Sequence, residues 1–148
     1  MTLPDINIWL ALTISHHAHH KEALRWLQTQ ETRDSIVFCR TTQQGYLRLL
    51  SHQNMMAAYR MRALTNAQAW ETYESFLADD RITCLNEPAE LTSVWRQLGA
   101  LDTASTKRWM DAYLAAFAIT GTLKLVTFDR AFSSYAPHGL DLELIETP

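Results

Sequence analysis

The stretch "TLPDINIWL", Thr2–Leu10, sets a short apolar strand end directly against a helical run, with Asp5 at the junction. Leu3–Asp5 reads as the end of a strand and Ile6–Ser15 as the helix that follows it. A carboxylate in such surroundings is costly to bury without a partner. Two kinds of partner suit the position: the backbone N–H groups of a helix that Asp5 caps, or a cation.

The same pairing of strand and helix recurs down the chain. "SIVFC" (Ser35–Cys39) is rich in strand formers and is followed by "TTQQGYLRLLS", a helix over about Thr42–Ser51. "ITCL" (Ile82–Leu85) and "KLVTF" (Lys124–Phe128) predict two more buried strands, and "LELIE" (Leu142–Glu146) an edge strand. Helices are predicted over Ala18–Gln28, Met55–Arg62, Asn66–Ala78, Glu90–Leu98 closed by Gly99, and Thr106–Thr120 closed by Gly121. Strands that alternate with helices give an α/β fold, a mostly parallel sheet with helices on both faces. No repeat, linker or low-complexity segment interrupts residues 1–148, which fit one domain.

Composition narrows the class. An apolar fraction of 47% with 20% charged residues is that of a globular protein. No apolar run is long enough to span a membrane, and the N-terminus lacks the pattern of a secretion signal, so a cytoplasmic protein is expected. A net charge of −3 argues against a protein that coats DNA. It leaves room for a nuclease whose acidic pocket is offset by metal. Cys39 and Cys84 are too few and too far apart for a disulfide framework and are expected to be buried free thiols.

In a parallel sheet, ligands gather outside the carboxyl ends of the strands. Asp5 ends the first strand and Asp129 directly follows "KLVTF", so both belong at that edge. A third isolated acid, Asp111 in "RWMDAYLAAFA", is expected in or just inside the first turn of its helix, where the dipole favours negative charge. Singly, Asp5 and Asp129 can each be a helix cap. Together the three would repel one another and lose hydration, and a hard cation such as Mg²⁺ relieves both problems. Such an ion can also drive attack of water on a phosphodiester.

With "PDINIWLAL", "TTQQGYLRLLS", "MDAYLAAFA" and "LVTFDRAF" in this order and spacing, essentially the whole chain resembles a PIN domain, and more closely the VapC-type toxins of toxin–antitoxin pairs. The resemblance implies a three-layer α/β/α fold and an endoribonuclease dependent on Mg²⁺ or Mn²⁺. It also implies RNA as substrate, a homodimer, and a small cognate antitoxin whose C-terminal segment lies across the active-site groove. Asp5, Asp111 and Asp129 match the metal-binding acids, with Asn7 and Thr127 as supporting polar residues. The remaining acid of the family, usually Glu, falls on Gln43, which can bond a metal-bound water but carries no charge. Three acids instead of four imply lower metal affinity. The alternative is a catalytically weak PIN-like module that mainly binds RNA or an antitoxin.

Other features carry two readings each. His16–His20 in "SHHAHHK" has metal-ligand types at one-turn spacing, but reads as a solvated helix junction without an accompanying Cys. The tryptophans read as core, with Trp109 the exception because it sits beside Lys107 and Arg108 and ahead of Asp111. Arg108, Trp109 and Arg130 are candidates for contact with RNA phosphates and bases, or simple charge balance. A phosphoaspartate enzyme built on Asp5 is disfavoured by the missing second Asp and the missing Gly-rich phosphate loop.

Overall fold

The computed structural model describes residues 1–148. Five strands form one all-parallel sheet in the order β3-β2-β1-β4-β5: β1 (Thr2–Pro4), β2 (Ile36–Phe38), β3 (Ile82–Cys84), β4 (Lys124–Thr127) and β5 (Asp141–Leu144). β1 is central and pairs with β4 in the register Thr2↔Lys124, Leu3↔Leu125, Pro4↔Val126. The sheet is parallel throughout, and Leu142–Leu144 forms the expected edge strand against β4.

Each strand is short and apolar because both faces of a parallel sheet are covered. Side chains alternate faces along a strand, and here they feed two separate cores. Leu3, Val37 and Leu125 point to one face, under α6 (Leu91–Gly99) and α7 (Thr106–Gly121). Ile36, Phe38, Ile82 and Val126 point to the other, under α1 (Ile6–Thr13), α2 (His20–Gln28), α3 (Arg40–Leu50) and α5 (Asn66–Leu77). This is an α/β/α sandwich. On the second face Trp9 stacks on Phe38, with ring centroids 3.7 Å apart and planes 14° from parallel. Gly45 allows α3 to lie against the start of α1, because a Cβ there would collide with Ile6 Cδ1.

Several boundaries move from expectation. Helix α1 ends at Thr13, and α2 starts only at His20, so Ser15–His19 is a turn. The short α4 covers Gln53–Ala58, not Met55–Arg62, because Arg60 turns left-handed at φ 58°. Helix α7 runs through Gly121, and Thr122 takes the left-handed cap at φ 53°. Leu123 N–H then bonds the Ala118 carbonyl at 2.8 Å, which fixes the close of the helix one residue later than glycine usage suggests. A 3₁₀ helix over Arg130–His138, not foreseen from the sequence, leads to β5. Cys39 is buried as expected, but Cys84 is exposed, since it ends β3 at the open edge of the sheet. Trp70 is also exposed. No helix is long and apolar enough to cross a membrane.

Candidate active site at the carboxyl edge of the sheet

Asp5 does cap α1: its Oδ1 accepts from Ile6 N–H at 2.6 Å. Its Oδ2 is engaged as well, accepting from Asn7 Nδ2 at 2.8 Å and from Thr127 Oγ1 at 2.8 Å. Asn7 also donates to Thr127 Oγ1 at 3.0 Å, and Asn7 Oδ1 accepts from Phe128 N–H at 3.4 Å. Thr127 Oγ1 in turn accepts from Asp129 N–H at 3.0 Å. These bonds tie the ends of β1 and β4 together, the parallel pair whose register brings both to one place. Capping and a place among the other acids are therefore not exclusive readings of Asp5.

Asp129 caps the 3₁₀ helix through Oδ1, which accepts from Ala131 N–H at 2.8 Å. Its Oδ2 accepts from Lys107 Nζ at 2.8 Å, and the same ammonium lies 3.8 Å from Asp111 Oδ2. Asp111 is reached from α7, where it stands in the second turn. It lies just past the first turn, where the hold of the helix dipole is already weak.

The three carboxylates feel one another's charge. Burial pushes Asp5 up to about 6, against hydrogen bonds from Thr127 and Ile6, and the charges of Asp111 and Asp129 add to the rise. Asp111 is raised, by burial first and by Asp129, while Lys107 pulls it down. Asp129 is held below the usual carboxylate range by the Lys107 ammonium and the Ala131 N–H. Lys107 is raised in return, by Asp129 first and then by Asp111. Carboxylate and hydroxyl oxygens are the donor set that suits a hard divalent cation. As they stand, no three His, Cys, Asp or Glu side chains are grouped closely enough to ligate one ion, and the cation nearest the acids is the Lys107 ammonium, 2.8 Å from Asp129 and 3.8 Å from Asp111.

The other candidate residues divide. Gln43 is buried and hydrogen-bonded through Oε1 to Arg40, and it lies near the Tyr73 hydroxyl of α5, whose titration it lowers. No hydrogen bond joins it to the three acids. Arg108 does not reach into the groove: its Nε donates to the Leu98 carbonyl at 2.9 Å, and its guanidinium lies 4.5 Å over the Tyr135 ring. Trp109 is 56% exposed but turns to α6, where its carbonyl accepts from Trp95 Nε1 at 2.9 Å and the two rings meet edge-on. Arg130 is exposed immediately after Asp129. Lys107, which opens the "KRWMD" run of cations ahead of Asp111, is the cation that reaches two of the acids. Its i, i+4 spacing to Asp111 was the available signal.

Residues 2–137 match the PIN domain family. The chain is 47% identical to Ribonuclease VapC41 of Mycobacterium tuberculosis, over 98% of this chain and 99% of the relative. The chain belongs to the PIN domain family, in its VapC branch. The fold agrees with solved PIN-domain structures of low identity. Mycobacterium tuberculosis VapC20, described as a sarcin–ricin loop cleaving toxin, superposes with a TM-score of 0.67 at 18% identity, covering 100% of both chains. VapBC2 of Rickettsia felis, solved on a DNA fragment from its promoter, gives 0.63 at 18% identity over 98% of each chain. As a PIN-domain VapC protein, the chain combines its family's α/β/α sheet with three acids drawn from residues 5, 111 and 129.

Proposed function

We propose that this VapC-family chain is a divalent-metal-dependent endoribonuclease acting on cytoplasmic RNA, with Asp5, Asp111 and Asp129 as the residues that hold Mg²⁺ or Mn²⁺. The observation that carries this reading is the gathering of three acids from separate segments at the carboxyl edge of a parallel sheet, with Lys107 Nζ 3.8 Å from Asp111 and 2.8 Å from Asp129, and Thr127 Oγ1 joining Asp5 to the Asp129 N–H. When bound, a hard divalent cation there activates water and stabilises the charge that develops on a phosphodiester. The chain's own part is to hold the carboxylates in place. Thr127 and Asn7 fix Asp5 in one orientation, and the Ala131 N–H fixes Asp129. Lys107 balances charge between Asp111 and Asp129 and competes with an incoming cation for the same oxygens.

The relatives support RNA as substrate through the name Ribonuclease VapC41. A small antitoxin partner is supported by the solved VapBC and FitAB toxin–antitoxin complexes that share the fold. Exposed Trp109, Met110 and Leu101 near α6–α7, and Trp70 and Leu77 on α5, are apolar surfaces of the kind that an antitoxin or a second copy in a homodimer would cover.

The deciding experiment is cleavage of structured RNA by the purified chain. Cleavage is expected with Mn²⁺ or Mg²⁺ and is expected to stop when the metal is chelated with EDTA. Cleavage that persists unchanged in EDTA overturns the metal assignment.

Gln43 gives a sharper check on the site's composition. A carboxylate at this position would face Arg40 and Tyr73 rather than the three acids. Gln43→Glu is therefore expected to leave the cleavage rate within about 2-fold of the parent, since its charge pairs locally. A rise of ten-fold or more would show that position 43 belongs to the metal site.

A further inference from the structure

The histidine turn between α1 and α2 does not stand alone in solvent. The His19 ring lies 4.8 Å from the Phe128 ring and 5.7 Å from the His17 ring. His17 lies 5.3 Å from Tyr59 with planes 21° apart, and 6.5 Å from Phe128 with planes 26° apart. Four rings from three distant segments thus form one surface, and each is only partly buried. The surface is pinned from several sides. His17 Nδ1 accepts from His19 N–H at 3.1 Å, and His20 Nδ1 pairs with the Ala11 carbonyl of α1 at 2.6 Å. Phe128 is held through its N–H by Asn7.

Three facts tell what this surface fits. Phe128 follows Thr127 and precedes Asp129, and its N–H bonds Asn7 Oδ1, so the ring surface starts one residue from the acidic site in the chain. His17 is pulled below the usual imidazole range, by burial first and then by His19 and His20, which favours a neutral ring that stacks. Arg60 follows Tyr59, exposed and left-handed, so a cation stands one residue from the ring surface in the chain. Resting on the ribonuclease reading, we propose that His17, His19, Tyr59 and Phe128 form a stacking shelf for unpaired RNA bases next to the scissile phosphodiester. Every base offers a π-face to such rings, so the shelf selects single-stranded or looped RNA over duplex, in which the faces are already stacked. Arg60 then meets the backbone phosphate of the stacked nucleotide.

The test uses the full chain in EDTA and a short single-stranded RNA carrying 2-aminopurine, whose fluorescence falls on stacking. The parent is expected to bind and quench the probe. Tyr59→Leu and His17→Ala are each expected to weaken binding about ten-fold and to relieve the quenching, from the usual worth of one stacked base. Tyr59→Trp should keep both, because the π-face remains. Thermal melts establish that each variant is folded, and the two variants alter different segments. Equal affinity and quenching in the parent, Tyr59→Leu and His17→Ala overturn the shelf, as does a loss confined to antitoxin binding with RNA binding unchanged. A parent that cuts RNA with Mn²⁺ yet never quenches the probe overturns the shelf alone. A parent that quenches but cuts no RNA overturns the ribonuclease reading and leaves the shelf standing.

Discussion

Asp5→Asn is expected to lower RNA cleavage by more than about 100-fold, since changes to residues merely supporting a metal ligand already cost 10–100-fold. The same substitution is expected to make the metal-free protein more stable at neutral pH. Burial raises the folded Asp5 carboxyl from 3.8 to about 6. Below the unfolded value both states keep the proton, and nothing is lost. As pH rises through the interval up to about 6, the unfolded chain releases the proton while the folded chain must hold a neutral acid or bury a charge. Stability therefore falls across that window and stays lower above it. The shift of roughly two units corresponds to a cost on the order of 3 kcal/mol, and Asn removes it while keeping an oxygen for the Ile6 N–H. Urea unfolding at pH 4.0 and 7.5 reads the effect: the variant should exceed the parent at pH 7.5, and the gap should close at pH 4.0. Added Mn²⁺ should raise the parent's midpoint and leave the variant's nearly unchanged. A variant that is less stable than the parent at pH 7.5 would mean that the two bonds Oδ2 accepts, from Asn7 Nδ2 and Thr127 Oγ1, outweigh the cost of burying the charge.

Trp9→Ala is expected to cost about 3–5 kcal/mol, the usual range for removing a large buried aromatic. Trp9 is fully enclosed, stacks on Phe38 and meets Phe76 edge-on at 5.2 Å. It joins α1 to the β2 face, and α1 begins at Asp5, so its loss also loosens the first carboxylate. The indole Nε1 has no hydrogen-bond partner in its buried position. Trp9→Phe therefore sheds an unsatisfied donor that costs about 1–3 kcal/mol, which offsets part of the lost packing. Midpoints of urea unfolding should rank parent and Trp9→Phe close together, with Trp9→Ala far below. A small loss for Trp9→Ala would mean that α1 is held chiefly by its cap and by its contact with Gly45.

The sequence by itself determined the strands, the parallel class of the sheet and the edge at which Asp5 and Asp129 stand. These are local properties: apolar runs, strand-to-helix junctions and the alternation of elements force them wherever the helices finally pack. Asp111 was legible as an isolated acid on an apolar helix, close to its first turn. What the sequence left undecided depends on how each helix is rotated about its axis and which distant segments it meets. Rotation of α3 decides that Gln43 bonds Arg40. Packing of α7 on α6 draws Arg108 to the Leu98 carbonyl and Tyr135, and leaves Lys107 between Asp111 and Asp129. The ring surface of His17, His19, Tyr59 and Phe128 exists only because the α1–α2 turn, the end of α4 and the end of β4 converge. Local pattern decides which residues are apolar, capped or at a strand end, whereas tertiary packing alone decides which side chains share a space.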